Sequence, residues 1–312
     1  MTTPPTRSSY AAGHFELQID GHKSTAYVKS VNGGWTRANV TDDPRGPDPD
    51  RVKQISSVDI DPIEIEFGLA GASDMLAWIQ GSWSRKYSRR NGQITHADFD
   101  LKSTLEHEFY EALVTETTFP ALDGAAKDGG YLKCKLQPER VVTKSLPSPG
   151  PQISGAQSPK QKLWTPAAFR FHIDGIDEMV AVNKIDSFTI KQGIKKFYTG
   201  DGRFPHVEPT NITFPNITGT ISLQYTKPLL KWHNDYINQI HGTKDPKAQK
   251  SGAIEFLSPD RNKVIFRINL YEVGLLHVGV EPSQANQEGI KRAKFELYVH
   301  KMDLDTGAFG FG

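Results

Sequence analysis

The sequence predicts a mainly β protein, built as two tandem antiparallel β-barrel or β-sandwich domains with one helix in each. Three observations carry this. Phe15-Glu-Leu-Gln-Ile-Asp-Gly21 returns as Phe169-Arg-Phe-His-Ile-Asp-Gly175, an offset of 154 residues. At the same offset Met75-Leu-Ala-Trp78 returns as Leu229-Leu-Lys-Trp232. Alternating apolar and polar stretches precede both tryptophans, with Ile63, Ile65 and Phe67 in one and Ile221, Leu223 and Tyr225 in the other. That alternation is the period of a half-buried strand.

The repeat sets the boundaries: an N-terminal tail (1–14), a first domain (15–142), a Pro/Ser-rich linker (143–168), a second domain (169–303) and a C-terminal tail (304–312). Pro147, Pro149, Pro151, Pro159 and Pro166 make the linker read as extended. Each domain opens with a strand running into an Asp-Gly turn, the signal of a hairpin. A strand, a long connection (Asn32 to Val58, Lys191 to Thr210) and another strand follow. The helix of the second domain is predicted from Thr226 as cap, Pro228 in the first turn, and Leu229, Trp232 or His233, Tyr236 and Ile240 at helical spacing before Gly242. In the first domain Ser73 is expected to cap a shorter helix ending at Gly81.

Asn91-Gly-Gln-Ile94 then parallels Ser251-Gly-Ala-Ile254, and Tyr131 to Gln137 parallels Phe295 to Val299. Thr104 to Thr118 looks helical in isolation, with Leu105, Phe109 and Leu113 at i, i+4, i+8. Its counterpart, Val264 to Val273, alternates as a strand. Two copies of one fold share their elements, so both are predicted as strands.

The 312 residues hold 37 basic and 36 acidic side chains, a formal charge of +1, which supplies no general field toward nucleic acid or an anionic membrane. An apolar share of 37% supports a buried core in each half. One cysteine, Cys134, excludes an intrachain disulfide and a cysteine-cluster metal site. It is expected to face away from Leu132 and Leu136 and to be unactivated. Met1 to Tyr10 has no apolar signal core and no stretch of about 18 apolar residues occurs, so synthesis in the cytosol as a soluble chain is expected. The sequons at Asn39, Asn211 and Asn216 are read as chance.

No catalytic constellation emerges. Glu106-His107-Glu108 with Glu111 lacks the second histidine of a zinc helix and reads as a solvated face. Gly71-Ala-Ser73 lacks the second glycine of a nucleophile elbow. Asp42, Asp43, Asp48 and Asp50 surround prolines without the spacing of a calcium loop. Gly200-Asp-Gly202 is a turn with no helix behind it. Trp78 and Trp232 read as core. Arg85, Lys86, Arg89 and Arg90, interleaved with Trp83 and Tyr87, read as a solvated or subunit-facing edge, against a nucleic-acid backbone site. Catalytic residues, metal ligands and cofactors are accordingly predicted as none.

In its order of elements the second copy, Phe169 to Asp303, resembles the conserved tail-tube proteins of myoviruses and phage-derived contractile injection systems. The resemblance rests on Phe169-Arg-Phe-His-Ile-Asp-Gly175, Thr220 to Tyr225, the Leu-Leu-x-Trp helix reaching Ile237, Gly252-Ala-Ile-Glu-Phe256 and Ala293 to His300. The first copy follows the same order with a longer hairpin after Gly33-Gly34. Such tube proteins are rings of β-barrels whose sheets line a channel, and they carry one such domain each. The resemblance implies a non-enzymatic, ring-forming tube, tube-initiator or baseplate-hub component lining a channel for DNA or effector passage. It implies homo-oligomeric partners (a trimer with pseudo-sixfold symmetry, or a hexamer of whole chains), neighbouring rings, baseplate or sheath proteins, cargo in the lumen, and no membrane. Assembly in the cytoplasm would precede residence in a virion tail or injection particle. The two long connections, rich in Gly, Pro and charge and too long for simple hairpin loops, are expected to reach a neighbouring ring or a baseplate partner. The alternative is a carbohydrate- or cell-surface-binding β-sandwich pair using Trp35, Trp83 or Tyr198 as stacking platforms.

Overall fold

The computed structural model describes residues 13–24, 26–44, 51–69, 71–147, 150–153, 164–200, 202–238, 249–281 and 291–306. The first run of elements is β1 (His14–Ile19), β2 (His22–Lys23), β3 (Val28–Asn32), β4 (Thr36–Pro44), β5 (Arg51–Ile60), β6 (Ile63–Gly68), α1 (Ser73–Trp83), β7 (Arg90–Ala97), β8 (Ser103–Phe119), β9 (Leu122–Asp123), β10 (Tyr131–Gln137) and β11 (Arg140–Ser145). The second is β12 (Phe169–Ile173), β13 (Val182–Ile185), β14 (Phe188–Phe197), β15 (His206–Thr213), β16 (Ile217–Ser222), α2 (Lys227–His233), β17 (Lys250–Leu257), β18 (Val264–Val280) and β19 (Arg292–Asp305). The protein is mainly β, in curled antiparallel sheets, with one α-helix in each run among the described residues.

Sheet order is the same in both runs. The first reads β1-β7-β8-β10-β6-β3 and the second β12-β17-β18-β19-β16-β13. β10 and β11, interrupted at Pro138, together flank β8 as the single long β19 flanks β18. Pro138 has no N–H for the ladder, which accounts for the break. Register agrees as well. Val28 pairs with Phe67 and Val31 with Ile65, just as Val182 pairs with Ile221 and Ile185 with Gly219, with an irregularity after the first pair in each case. β8 carries an extra residue against β7 near Glu111 and another, Thr115, against β10. β18 carries the same two, near Glu272 and at Leu276. Glu111 and Glu272 both have φ of 52°, a left-handed conformation that marks a bulge and costs a non-glycine residue energy.

The long strands confirm the strand reading of Thr104 to Thr118. Leu105, Phe109 and Leu113 would share a helix face; in the strand Leu105 is only half-buried and Phe109 enters the core. The two long connections are hairpins, β4–β5 and β14–β15. The signal of β4–β5 is weak because β4 is exposed along Thr36–Asp42 and shows no burial alternation.

Two helix expectations are corrected. The residue before α1 is Ala72, so Ser73 is the first helical residue and not the cap, and α1 runs past Gly81 to Trp83. Asp74 in the first turn supplies the favourable negative charge there. Met75, Leu76, Ile79 and Trp83, spaced by three and four, form its buried face. α2 is the shorter helix and continues as a π-helical turn over Asn234–Asn238; Ile240 and Gly242 lie outside the described residues. The Thr226 hydroxyl donates to the Leu223 carbonyl at 2.7 Å and does not cap α2.

Cys134 is also corrected. It lies between Leu132 and Leu136 on the same buried face, because side chains two apart in a strand point the same way. Burial pushes its thiol pKa up.

Gly150 to Ile153 and Trp164 to Ala168, within the Pro/Ser-rich stretch, are bound to the sheets. Ser103 N–H donates to Pro151 O at 3.0 Å, Ile153 N–H to Leu101 O at 2.8 Å and Gly130 N–H to Trp164 O at 2.8 Å. Trp164 is buried, with its ring 5.5 Å from Phe256.

Candidate assembly interface

β8 outruns its neighbour. β7 pairs along one edge of β8 only as far as Ala112, next to the Glu111 bulge. Beyond it, β14 of the second run takes the same edge, pairing Lys191 with Glu116, Ile190 with Thr117, Thr189 with Thr118 and Phe188 with Phe119. The two runs are thereby joined by continuous backbone hydrogen bonding. The Thr118 and Thr189 hydroxyls meet at 2.9 Å, and Ser187 Oγ donates to Phe119 O at 2.8 Å.

Apolar packing reinforces the seam. Phe119 is fully buried, and its ring lies 5.5 Å from Phe256, 6.2 Å from Phe266 and 6.0 Å from Trp83. Trp83 also meets Phe214 edge-on at 6.4 Å. α1 packs on both β8 and β19, and Thr306 Oγ1 donates to Gln80 Oε1 at 3.2 Å. One core contains residues of both runs.

A polar cluster pins the β14–β15 hairpin to the first run. Half-buried Glu139, beside the break in the β10–β11 wall, is ion-paired with Arg89, accepts the Val207 N–H at 2.8 Å and lies 3.2 Å from His206 Nδ1. Arg89 also donates to Val207 O at 2.6 Å and pairs with Glu208 at 3.1 Å. Further along, Lys196 reaches Asp59 at 2.6 Å, and Val58 N–H donates to Arg203 O at 2.9 Å. Burial opposes ionisation of Asp59, but Lys196 and the Ile60 N–H outweigh it and hold the carboxyl below its ordinary value.

Trp78 and Trp232 lie on the buried faces of α1 and α2, with the Arg90 guanidinium 5.7 Å over the first and the Lys250 ammonium 5.7 Å over the second. Arg140 over Tyr110 and Lys301 over Tyr271 form another such pair, at 4.3 and 5.6 Å. Of the basic segment, Arg89 belongs to the seam, as does Tyr87, whose hydroxyl reaches Thr210 O at 3.4 Å; Arg90 pairs with Asp20 at 3.5 Å. Trp83 is 4% exposed, so it offers no stacking platform; Trp35 and Tyr198 are exposed.

His107 is buried with Nδ1 2.7 Å from Thr143 Oγ1, which corrects its reading as part of a solvated face; Glu111 is exposed. Asp42 lies on exposed β4, while Asp48, Asp50 and Asp201 fall outside the described residues. Among the described residues no group of three or more His, Cys, Asp or Glu is placed to hold a metal ion, and no helix is long and apolar enough to cross a membrane. The seam residues Phe119, Phe188, Glu139 and Arg89 escaped the sequence reading as a group. The available signal was that the long strands overrun their hairpin partners.

No protein-family model and no curated protein matches the chain. Solved structures do. The sheath/tube terminator of the extracellular contractile injection system PVC, in the extended state, is similar at 16% identity over 45% of this chain and 99% of that one, with a TM-score of 0.39. The tube-terminating cap of the anti-feeding prophage is similar at 18% identity over 44% and 89%, TM-score 0.36. Hcp1 from Salmonella typhimurium is similar at 14% identity over 46% and 92%, TM-score 0.31.

Proposed function

We propose that the chain is a structural, non-enzymatic component of a phage tail tube or of the inner tube or baseplate of a contractile injection system. In this reading it is a tandem duplication of one tube domain, 15–142 and 169–303, whose two copies sit side by side in a ring around a channel for DNA or effector. The observation that carries it is the strand-to-strand seam between β14 and β8, joining two runs of identical sheet order. A unit that adds a strand to its neighbour's edge makes a heterologous contact, and such a contact repeated by rotation closes into a ring. The sequence resemblance to tail-tube proteins supports the same reading.

Three chains would then supply six units in pseudo-sixfold symmetry. The seam favours this over six whole chains with their copies stacked in two layers, since stacked copies would not share a sheet. Neighbouring rings and baseplate or sheath proteins would meet the ring faces. Mass photometry with a cryo-EM ring average of the purified chain tests it. Closed rings of three chains are the expected result; six chains around the axis would sink the side-by-side arrangement, and a monodisperse monomer at all concentrations would overturn the ring reading.

A further inference from the structure

The seam between β14 and β8 has an unfilled counterpart at each end of the chain. Matching the two runs by register, Arg37 pairs with Asp59 as Lys191 pairs with Thr213, and Ala38 with Val58 as Gln192 with Ile212. The stretch equivalent to Phe188–Lys191 is therefore Gly34–Arg37. On the receiving side, Cys134 pairs with Thr117 as Phe295 pairs with Val278, and Lys133 with Thr118 as Lys294 with Gly279. The stretch equivalent to Glu116–Phe119 is therefore His277–Val280.

Neither stretch carries a second neighbouring strand among the described residues, although Gly34 itself is buried against His107 and Ile63. β17 leaves β18 at Val273, and β19 holds only the other edge, so His277–Val280 has one unpaired edge. Exposure follows. Phe119 is 0% exposed whereas its counterpart Val280 is 58% exposed; Phe188 is 4% exposed whereas Trp35, next to the matching position, is 51% exposed. Val40 and Ile55 on the β4–β5 hairpin and Leu276 beside the unpaired edge are exposed too. An unpaired strand edge flanked by apolar side chains is a template for strand addition.

We infer that the edge His277–Val280 of β18 is the docking site for a second copy of this chain, which adds the root of its β4, Gly34–Arg37, as β14 adds to β8 within the chain. This rests on the ring reading above and names the contact that closes it. Residue sizes are complementary in the docked register. The Thr189–Thr118 pair of the internal seam corresponds to Trp35 opposite Gly279, a large side chain facing a glycine whose flank the flexible His277 ring, now with its Nε2 2.9 Å from where a Cβ would be, would vacate. The contact is head to tail, since each chain offers one root and one edge.

Cross-linking tests it. A chain carrying Trp35→Cys and Gly279→Cys should give, on mild oxidation, a ladder of disulfide-linked multimers on a non-reducing gel. Thr118→Cys with Thr189→Cys should close only within the chain, and buried Cys134 should contribute nothing. Val280→Glu, at an exposed position that folding tolerates, should weaken self-association at least about tenfold, because docking would bury an unpaired charge. Rings that persist with Val280→Glu and show no Trp35–Gly279 cross-link would overturn this contact while leaving the ring reading intact. A ladder of open oligomers without closed rings would support the contact and sink the ring. Wild-type chain that stays monomeric, together with no ladder from the Trp35→Cys/Gly279→Cys chain, would overturn both.

Discussion

The rings of Phe119 and Phe188 stack 5.1 Å apart at an interplanar angle of 15°, one from the end of β8 and the other from the start of β14. They lie at opposite ends of the last pair in the seam. Phe119→Ala would remove the one ring that also touches Phe256 and Phe266, and should cost about 3–5 kcal/mol. Val280→Ala, at the equivalent exposed position, should stay within about 0.5 kcal/mol of wild type in dilute protein. Urea unfolding of the two variants decides it, and equal losses would show that the two strand ends are alike in burial.

Glu139 serves the Arg89 guanidinium, the Val207 N–H and His206 at once. Glu139→Ala should destabilise by about 1–3 kcal/mol, the penalty for stranding partly buried donors. Amide exchange should show it first at Val207 and the rest of β15, with β17 to β19 unaffected. Unchanged protection at Val207 would mean that the hairpin is held by β8 alone.

Two glycines should respond in opposite directions. A Cβ at Gly92 would lie 2.2 Å from Phe109 Cζ and 2.5 Å from the Gln18 carbonyl oxygen, so Gly92→Ala should cost about 1–3 kcal/mol. Gly81 sits within α1, where a Cβ would meet only Ser88 Oγ at 3.6 Å, and Gly81→Ala should stabilise by roughly 0.5–1 kcal/mol through helix propensity. Thermal melts of the two variants should shift to opposite sides of wild type.

Burial holds the pKa of His107 below 6.5, and burial together with the His107 charge does the same for His96. A depressed histidine leaves the folded state short of a proton that the unfolded chain takes up. Its contribution to stability is therefore complete above pH 6.5 and lost progressively as the pH falls toward the folded value. His107→Ile, which installs the residue found at the matching position Ile268, should flatten the decline in urea midpoint below pH 6.5. An unaltered slope would assign the acid sensitivity to other groups.

Much of this architecture was legible in the residues. The Asp-Gly turns after Ile19 and Ile173 and the paired tryptophans marked elements that recur in register, and apolar alternation located most strands. The helix end was misread because Gly81 looks like a stop, yet Trp83 two residues on is drawn into the core by Phe119. The exposed β4–β5 hairpin left no burial pattern to find. The seam was invisible for a different reason: the pairing of Phe188 with Phe119 depends on where β7 stops, a relation between distant segments that no local period encodes.

The twin irregularities in the long strands give them a phase. In β8 the core-facing positions are His107 and Phe109 before the Glu111 bulge, Ala112 and Val114 after it, and Thr117 and Phe119 beyond Thr115. Parity flips at the Glu111 bulge and returns at Thr115. A substitution at either place leaves that count untouched, but deleting Glu111 alone would turn every later side chain of β8 inside out, Phe119 included. Deleting Thr115 as well would restore Phe119 to the core, so the shorter chain would be the better folded. The same arithmetic governs Glu272 and Leu276 in β18, where the two losses would likewise cancel.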